Sequence, residues 1–133
     1  MLWFQNYPIL IPFIAILAAE AVKFTVDWIQ NRAKLRFLNS GGMPSGHSAF
    51  VSSLVVVVAD REGVESTAFM IAAVLAIIVM YDAIHLRNEA GKHAVLINKN
   101  FSTDLEESLG HTHWEVLAGS IFGAVISFLL LLI

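Results

Sequence analysis

Cysteine is missing from the 133-residue sequence, which excludes a disulfide framework, a thiolate nucleophile and any cysteine-ligated zinc or iron-sulfur site. Charge is also scarce. Only 14% of residues are Asp, Glu, Lys or Arg against 57% hydrophobic, and the mean hydropathy of +0.72 lies above that of an ordinary soluble domain. Membrane residence is therefore the first inference. A net charge of -3, a pI near 5.9 and the lack of a basic stripe argue against a nucleic-acid partner. The opening MLWFQNYPIL lacks the basic region and small-residue cleavage site of a signal peptide, so the first apolar segment is expected to stay with the chain. No repeat, low-complexity tract or linker divides residues 1–133, which are expected to form a single domain.

What is present is apolar sequence in four stretches: Pro8 to Ile29, His47 to Ala59, Ser66 to His85 and Trp114 to Ile133. A helix needs roughly 20 apolar residues to cross a bilayer, which the first, third and fourth supply. The second needs help from Met43 to Gly46 or from the Asp60 end. Lipid offers the backbone no hydrogen-bond partners, and nothing alternates with a period of two, so the stretches predict an all-α integral membrane bundle of about four helices. Arg32, Lys34 and Arg36 fall in the first polar connection (Asn31 to Met43), and Arg87, Lys92 and Lys99 in the third (Leu86 to His113). Only Arg61 falls in the second (Asp60 to Glu65). The Lys/Arg excess predicts that the first and third connections face the cytoplasm, in a plasma (inner) membrane, with both termini outside. Trp3, Trp28 and Trp114 lie near span ends, as interfacial anchors should.

Two segments carry candidate chemistry. Gly41-Gly42-Met43-Pro44-Ser45-Gly46-His47 is a turn that opens the second helix with a histidine in its first turn. Small residues and a helix N-terminus make a plausible phosphate cradle, although an ordinary turn with Ser45 as N-cap fits equally well. Gly110-His111-Thr112-His113-Trp114-Glu115 opens the fourth helix. His111 and Glu115 stand four apart, so the carboxylate can hold the imidazole in one tautomer. The competing assignment is a Thr112-x-x-Glu115 capping box, in which Glu115 merely satisfies backbone donors.

Together these segments resemble the type 2 phosphatidic acid phosphatase superfamily, and most closely its divergent, short membrane branch. That superfamily places phosphate-binding amides and a general-acid histidine in a P-S-G-H motif, here Pro44 to His47. A later H-x-x-x-D motif supplies the nucleophilic histidine and its orienting carboxylate, here His111 to Glu115, followed by Val116-Leu117-Ala118-Gly119. The stretches GGMPSGHSA, YDAIHLRNEAGKHA and LGHTHWEVLAG also resemble the divergent branch, so the likeness runs from about Lys23 to Gly123. The departures are specific. Glu115 replaces Asp, the residue seven beyond Lys23 is Gln30 rather than Arg, and Asp104-Leu105 stand where a Ser-Arg pair is usual.

The resemblance implies a metal-independent, cofactor-free lipid phosphatase. His111 would be the nucleophile, Glu115 its partner and His47 the general acid, with Lys23, Ser45, Gly46, Arg87 and Arg36 holding phosphate. Its partners would be the bilayer and a membrane lipid phosphate, such as a phosphatidylglycerophosphate, a phosphatidic acid or an isoprenoid phosphate; a homo-oligomer is possible. Two other functions stand beside it: a non-catalytic lipid-phosphate binding or assembly protein, and a transporter or channel subunit suggested by charges in the first span.

Glu20 and Asp27 are expected to pair with Lys23, and Asp82 to orient Arg87 or mark the interface. His85, His93 and His113 repeat no metal-ligand spacing with His111. Gly119-x-x-x-Gly123 is expected to pack helices closely within the chain rather than across a dimer.

Overall fold

The computed structural model describes residues 3–29 and 41–133, so Arg32, Lys34 and Arg36 of the first connection lie outside the described residues. After a short α1 (Trp3–Asn6), four long helices make the bundle: α2 (Leu10–Ile29), α3 (Gly46–Glu62), α4 (Thr67–Ile84) and α6 (His113–Leu131). They follow the four apolar stretches to within a few residues. The third connection departs from expectation, because residues Leu86–Phe101 form a further helix, α5, that continues α4 past His85. Its longest apolar run is only residues 94–97, between Lys92 and Lys99, so the segment carries no signature of a span.

Apart from Ile11, Val51, Val57 and Val116, the buried apolar side chains of the helices are small, and many large ones are exposed. Ala15, Ala19, Ala49, Ala72, Ala76, Gly119 and Gly123 are buried, whereas Leu17, Ile71, Ile77, Ile78, Ile121 and Phe128 are exposed. In α2 the charged residues Glu20, Lys23 and Asp27 face inward while Phe13, Phe24 and Trp28 face out. Water would penalise that arrangement; hydrocarbon favours it, because apolar side chains lose nothing against lipid tails and small residues let helices approach. By length and composition, two stretches among the described residues reach spanning quality, Thr67–Phe101 and His113–Leu131. The α2 helix falls short through its three inward charges and α3 through its 17-residue length.

Register fixes which ends meet. The Ser45 amide donates to the Glu115 carbonyl at 3.1 Å. A side chain on Gly119 would collide with the Ser45 backbone, and one on Gly123 with the Ala49 carbonyl. One turn further along, Ser127 Oγ donates to Ser53 Oγ at 2.5 Å. Helices α3 and α6 therefore run parallel, in a constant register, along a stripe of glycine, alanine and serine. The Gly119–Gly123 stripe is taken up by this contact inside the chain. Helix α2 runs antiparallel to α3: Phe13 packs edge-on against Phe50, with ring centroids 5.3 Å apart, while Glu20 reaches Gly46. The His111 amide donates to the Ala83 carbonyl at 2.9 Å, which brings the end of α4 to the same place. The second half of α2, the starts of α3 and α6 and the end of α4 thus share one end of the bundle. Trp28 and Trp114 are both exposed there, as expected of interfacial anchors.

Candidate active site

His111 is fixed from three directions. Its amide is held by Ala83, and its carbonyl accepts from Asn88 Nδ2 at 3.1 Å. Its ring Nδ1 lies 3.2 Å from Glu115 Oε2. An ionised carboxylate can only accept, so Nδ1 carries the proton and Nε2 keeps a free lone pair. Burial pushes the His111 imidazole below its ordinary pKa; the hydrogen bond and charge of Glu115 oppose this, and Lys23 and Arg87 reinforce it. The lowered pKa favours the neutral ring, the form that keeps a lone pair on Nε2.

The capping box at the start of α6 is also present. Glu115 Oε2 accepts from the Thr112 amide at 2.9 Å, and Thr112 Oγ1 accepts from the Glu115 amide at 3.3 Å. The two assignments for Glu115 are not alternatives, because one oxygen serves both the helix cap and the imidazole.

The α3 start is built differently from the expected cradle. Two amides of the Gly41 to Gly46 turn are already taken, Gly41 by the Ser108 carbonyl and Ser45 by Glu115. Ser45 is fully buried, and its hydroxyl accepts from the Ser48 amide and hydroxyl at 3.4 and 3.0 Å. Ser45 is thus the N-cap and the bridge to α6, and its own amide is not available to an anion. In the first turn of α3 that leaves the amides of Gly46 and His47 without an intrahelical acceptor. His47, half-buried in that turn, has Arg87, His111, Lys23 and Glu20 as electrostatic neighbours.

The predicted cations divide into three cases. Lys23 is buried and bonded to Glu20 Oε1 at 2.8 Å, which fulfils one of the two pairings expected of it. Arg87, half-exposed, lies 3.5 Å from Asp82 Oδ2, so Asp82 does orient it. Arg36 lies outside the described residues. Among the described residues no group of three potential metal ligands gathers.

A cavity of about 270 Å³ opens beside His111, lined by Asp27, Gly42, Asn88, Gly110 and Glu115 among others. Three features escaped the sequence reading. Asn88 clamps Ile84 and His111 together, and it presses so closely on Gly110 (φ +89°) that a side chain there would collide with it. Asp27 faces the cavity, and Glu20 touches Gly46. Each is a contact across distant sequence, and only the ionisable residues in a membrane helix gave any signal.

Fold and site together define an all-helical integral membrane protein with two histidines at converging helix starts. A match over residues 4–126 assigns the chain to the divergent PAP2 family. The chain is 34% identical over 149 aligned positions to an uncharacterized membrane protein, YuiD, of Bacillus subtilis (strain 168), with 94% of each chain covered. No solved structure matches.

Proposed function

We propose that the protein is a phosphatase for a membrane lipid phosphate that works through a phosphohistidine at His111. One observation carries this reading: α3 and α6 run parallel with their starts tied by the bond from Ser45 to Glu115, so that His47 and His111 open at one end beside Lys23 and Arg87. In the first step His111 Nε2 attacks phosphorus while His47 gives its proton to the departing alcohol oxygen. The P–O ester bond breaks as the P–N bond forms. In the second step His47 takes a proton from water, whose oxygen attacks phosphorus and releases inorganic phosphate from His111. Lys23, Arg87 and the Gly46 and His47 amides balance charge on the non-bridging oxygens. The scheme requires no metal.

The site lies at the end of a bundle whose outer surface is apolar, which suits an amphiphile whose acyl chains stay in the bilayer while its phosphate reaches His111. A phosphatidylglycerophosphate, phosphatidic acid or isoprenoid phosphate fits this better than a soluble ester. Arg87, Lys92 and Lys99 at the same end favour the cytoplasmic face of a plasma membrane.

Purified protein in lipid is expected to release phosphate from such substrates in chelator, and His111→Ala to lose nearly all of that release. Full retention by His111→Ala would eliminate the mechanism. The second reading, a lipid-phosphate binding module, is favoured by the engagement of Lys23 with Glu20 and by the altered arginine motifs. Trapping with labelled substrate separates the two, because a binding module retains lipid without acquiring covalent phosphate.

A further inference from the structure

Glu20 has no part in the scheme above, yet it sits where an incoming phosphate would be held. Its side chain is 6% exposed inside a membrane helix, where an ionised carboxylate is costly unless something at that place compensates it. Two things do. Lys23 Nζ lies 2.8 Å from Oε1, and the carboxylate lies against Gly46, where a methyl group would come within 2.5 Å of the same Oε1. Gly46 opens α3, so Glu20 rests at the positive end of that helix dipole. Both compensating features, Lys23 and the first turn of α3, are among those the phosphatase reading assigns to phosphate. The absence of a side chain at Gly46 admits Glu20 to that position.

We infer that Glu20 is a resident anion which occupies the phosphate's electrostatic place before substrate binds, holds Lys23 ready, and weakens the grip on released phosphate. The inference rests on the phosphatase reading, since it takes Lys23 and the α3 start as phosphate ligands. An incoming phosphate must share Lys23 with this carboxylate. The repulsion a few ångströms away is weakly screened, so it limits affinity for the dianionic product most of all. Glu20 is a positioning residue here: it acts through Lys23 and does not touch phosphorus.

The test uses the whole protein in lipid nanodiscs, with inorganic phosphate as the probe. Calorimetry reads the affinity, thermal unfolding reads the stabilisation by phosphate, and steady-state kinetics reads product inhibition. Glu20→Gln keeps the size and removes the charge. It is expected to bind phosphate at least about tenfold more tightly, the scale of one weakly screened unit charge, with product inhibition strengthened by the same factor. Without phosphate the variant should be less stable than the native protein, because Lys23 loses its partner. Added phosphate should recover more stability in the variant than in the native protein. Glu20→Asp, which keeps the charge, should resemble the native protein in both respects. A role in packing alone would lower stability without tightening phosphate. Phosphate binding by the native protein that Glu20→Gln leaves unchanged or weakens would overturn the inference and leave the phosphatase reading standing. If neither protein binds phosphate, the inference falls, while the phosphatase reading stands or falls on phosphate release and its loss in His111→Ala.

Discussion

The two histidines reach the same end of the bundle by opposite routes. His111 stands outside its helix, one residue before the N-cap Thr112, and is held by Ala83, Asn88 and Glu115. His47 stands inside its helix as the second residue of α3, and among the described residues no hydrogen bond holds its ring. The difference matches the two tasks proposed for them. A nucleophile gains from a single fixed orientation, because misplacement of the attacking atom is costly in rate. A group that protonates an alcohol oxygen and then deprotonates water must serve two positions, and a ring without a fixed partner can do so.

The largest effect that would break this contrast concerns His47. With a lipid phosphate, His47→Ala is expected to lower kcat/KM at least about a hundredfold, since general acid catalysis contributes that much or more. An activated aryl phosphate needs no proton on its leaving group, so phosphohistidine formation should largely recover in the same variant. Release of phosphate from His111 should stay slow. Rapid-quench measurement should therefore show a burst of aryl alcohol followed by a slow steady state. An equal loss with both substrates and no burst would contradict the assignment of His47 as the acid.

Glu115→Gln sharpens the other half. The amide oxygen still accepts from His111 Nδ1, so the tautomer is kept while the charge is lost. The Glu115 hydrogen bond and charge raise the His111 pKa against the lowering effect of burial. Removing the charge must lower that pKa further, so the acid limb of kcat/KM, where His111 becomes protonated, moves to lower pH. Activity on the plateau should fall roughly tenfold to hundredfold, the scale of losing a charge-assisted hydrogen bond of about 1.5–3 kcal/mol to the imidazole. A limb that stays put or moves upward would show that Glu115 does not act on the imidazole.

Much of this was legible in the residues. The four long helices follow runs of apolar sequence because lipid leaves the backbone no alternative to the helix, and helix starts at Gly46 and His113 follow from the turn and cap residues before them. The pairing of His111 with Glu115 follows from a spacing of four across a helix start. Three things were not legible. Helix α5 has no apolar run longer than residues 94–97, so it lacks the signature of a span. Ser45 is expected to hold phosphate, whereas its amide donates to the carbonyl of Glu115, more than sixty residues away along the chain. Asn88 gave no signal because its work is done on the backbone of His111, which no local pattern marks.

The smallest expected effect separates the two duties of Glu115. Its Oε2 accepts from both the Thr112 amide and His111 Nδ1, while Thr112 Oγ1 returns only the cap bond to the Glu115 amide. Thr112→Ala deletes that returned bond and leaves both contacts of Oε2 in place. Stability should fall by about 1 kcal/mol, the ordinary value of an N-cap side chain, as read by thermal unfolding in lipid. Activity should stay within about threefold of the native level, because a bond outside the reacting groups changes the barrier by well under the 1.4 kcal/mol that a tenfold effect requires. If Thr112→Ala instead lowered activity as far as Glu115→Gln does, the cap and the imidazole contact would be one mechanical unit. The orientation of His111 would then depend on the geometry of the whole first turn of α6 rather than on a single carboxylate oxygen.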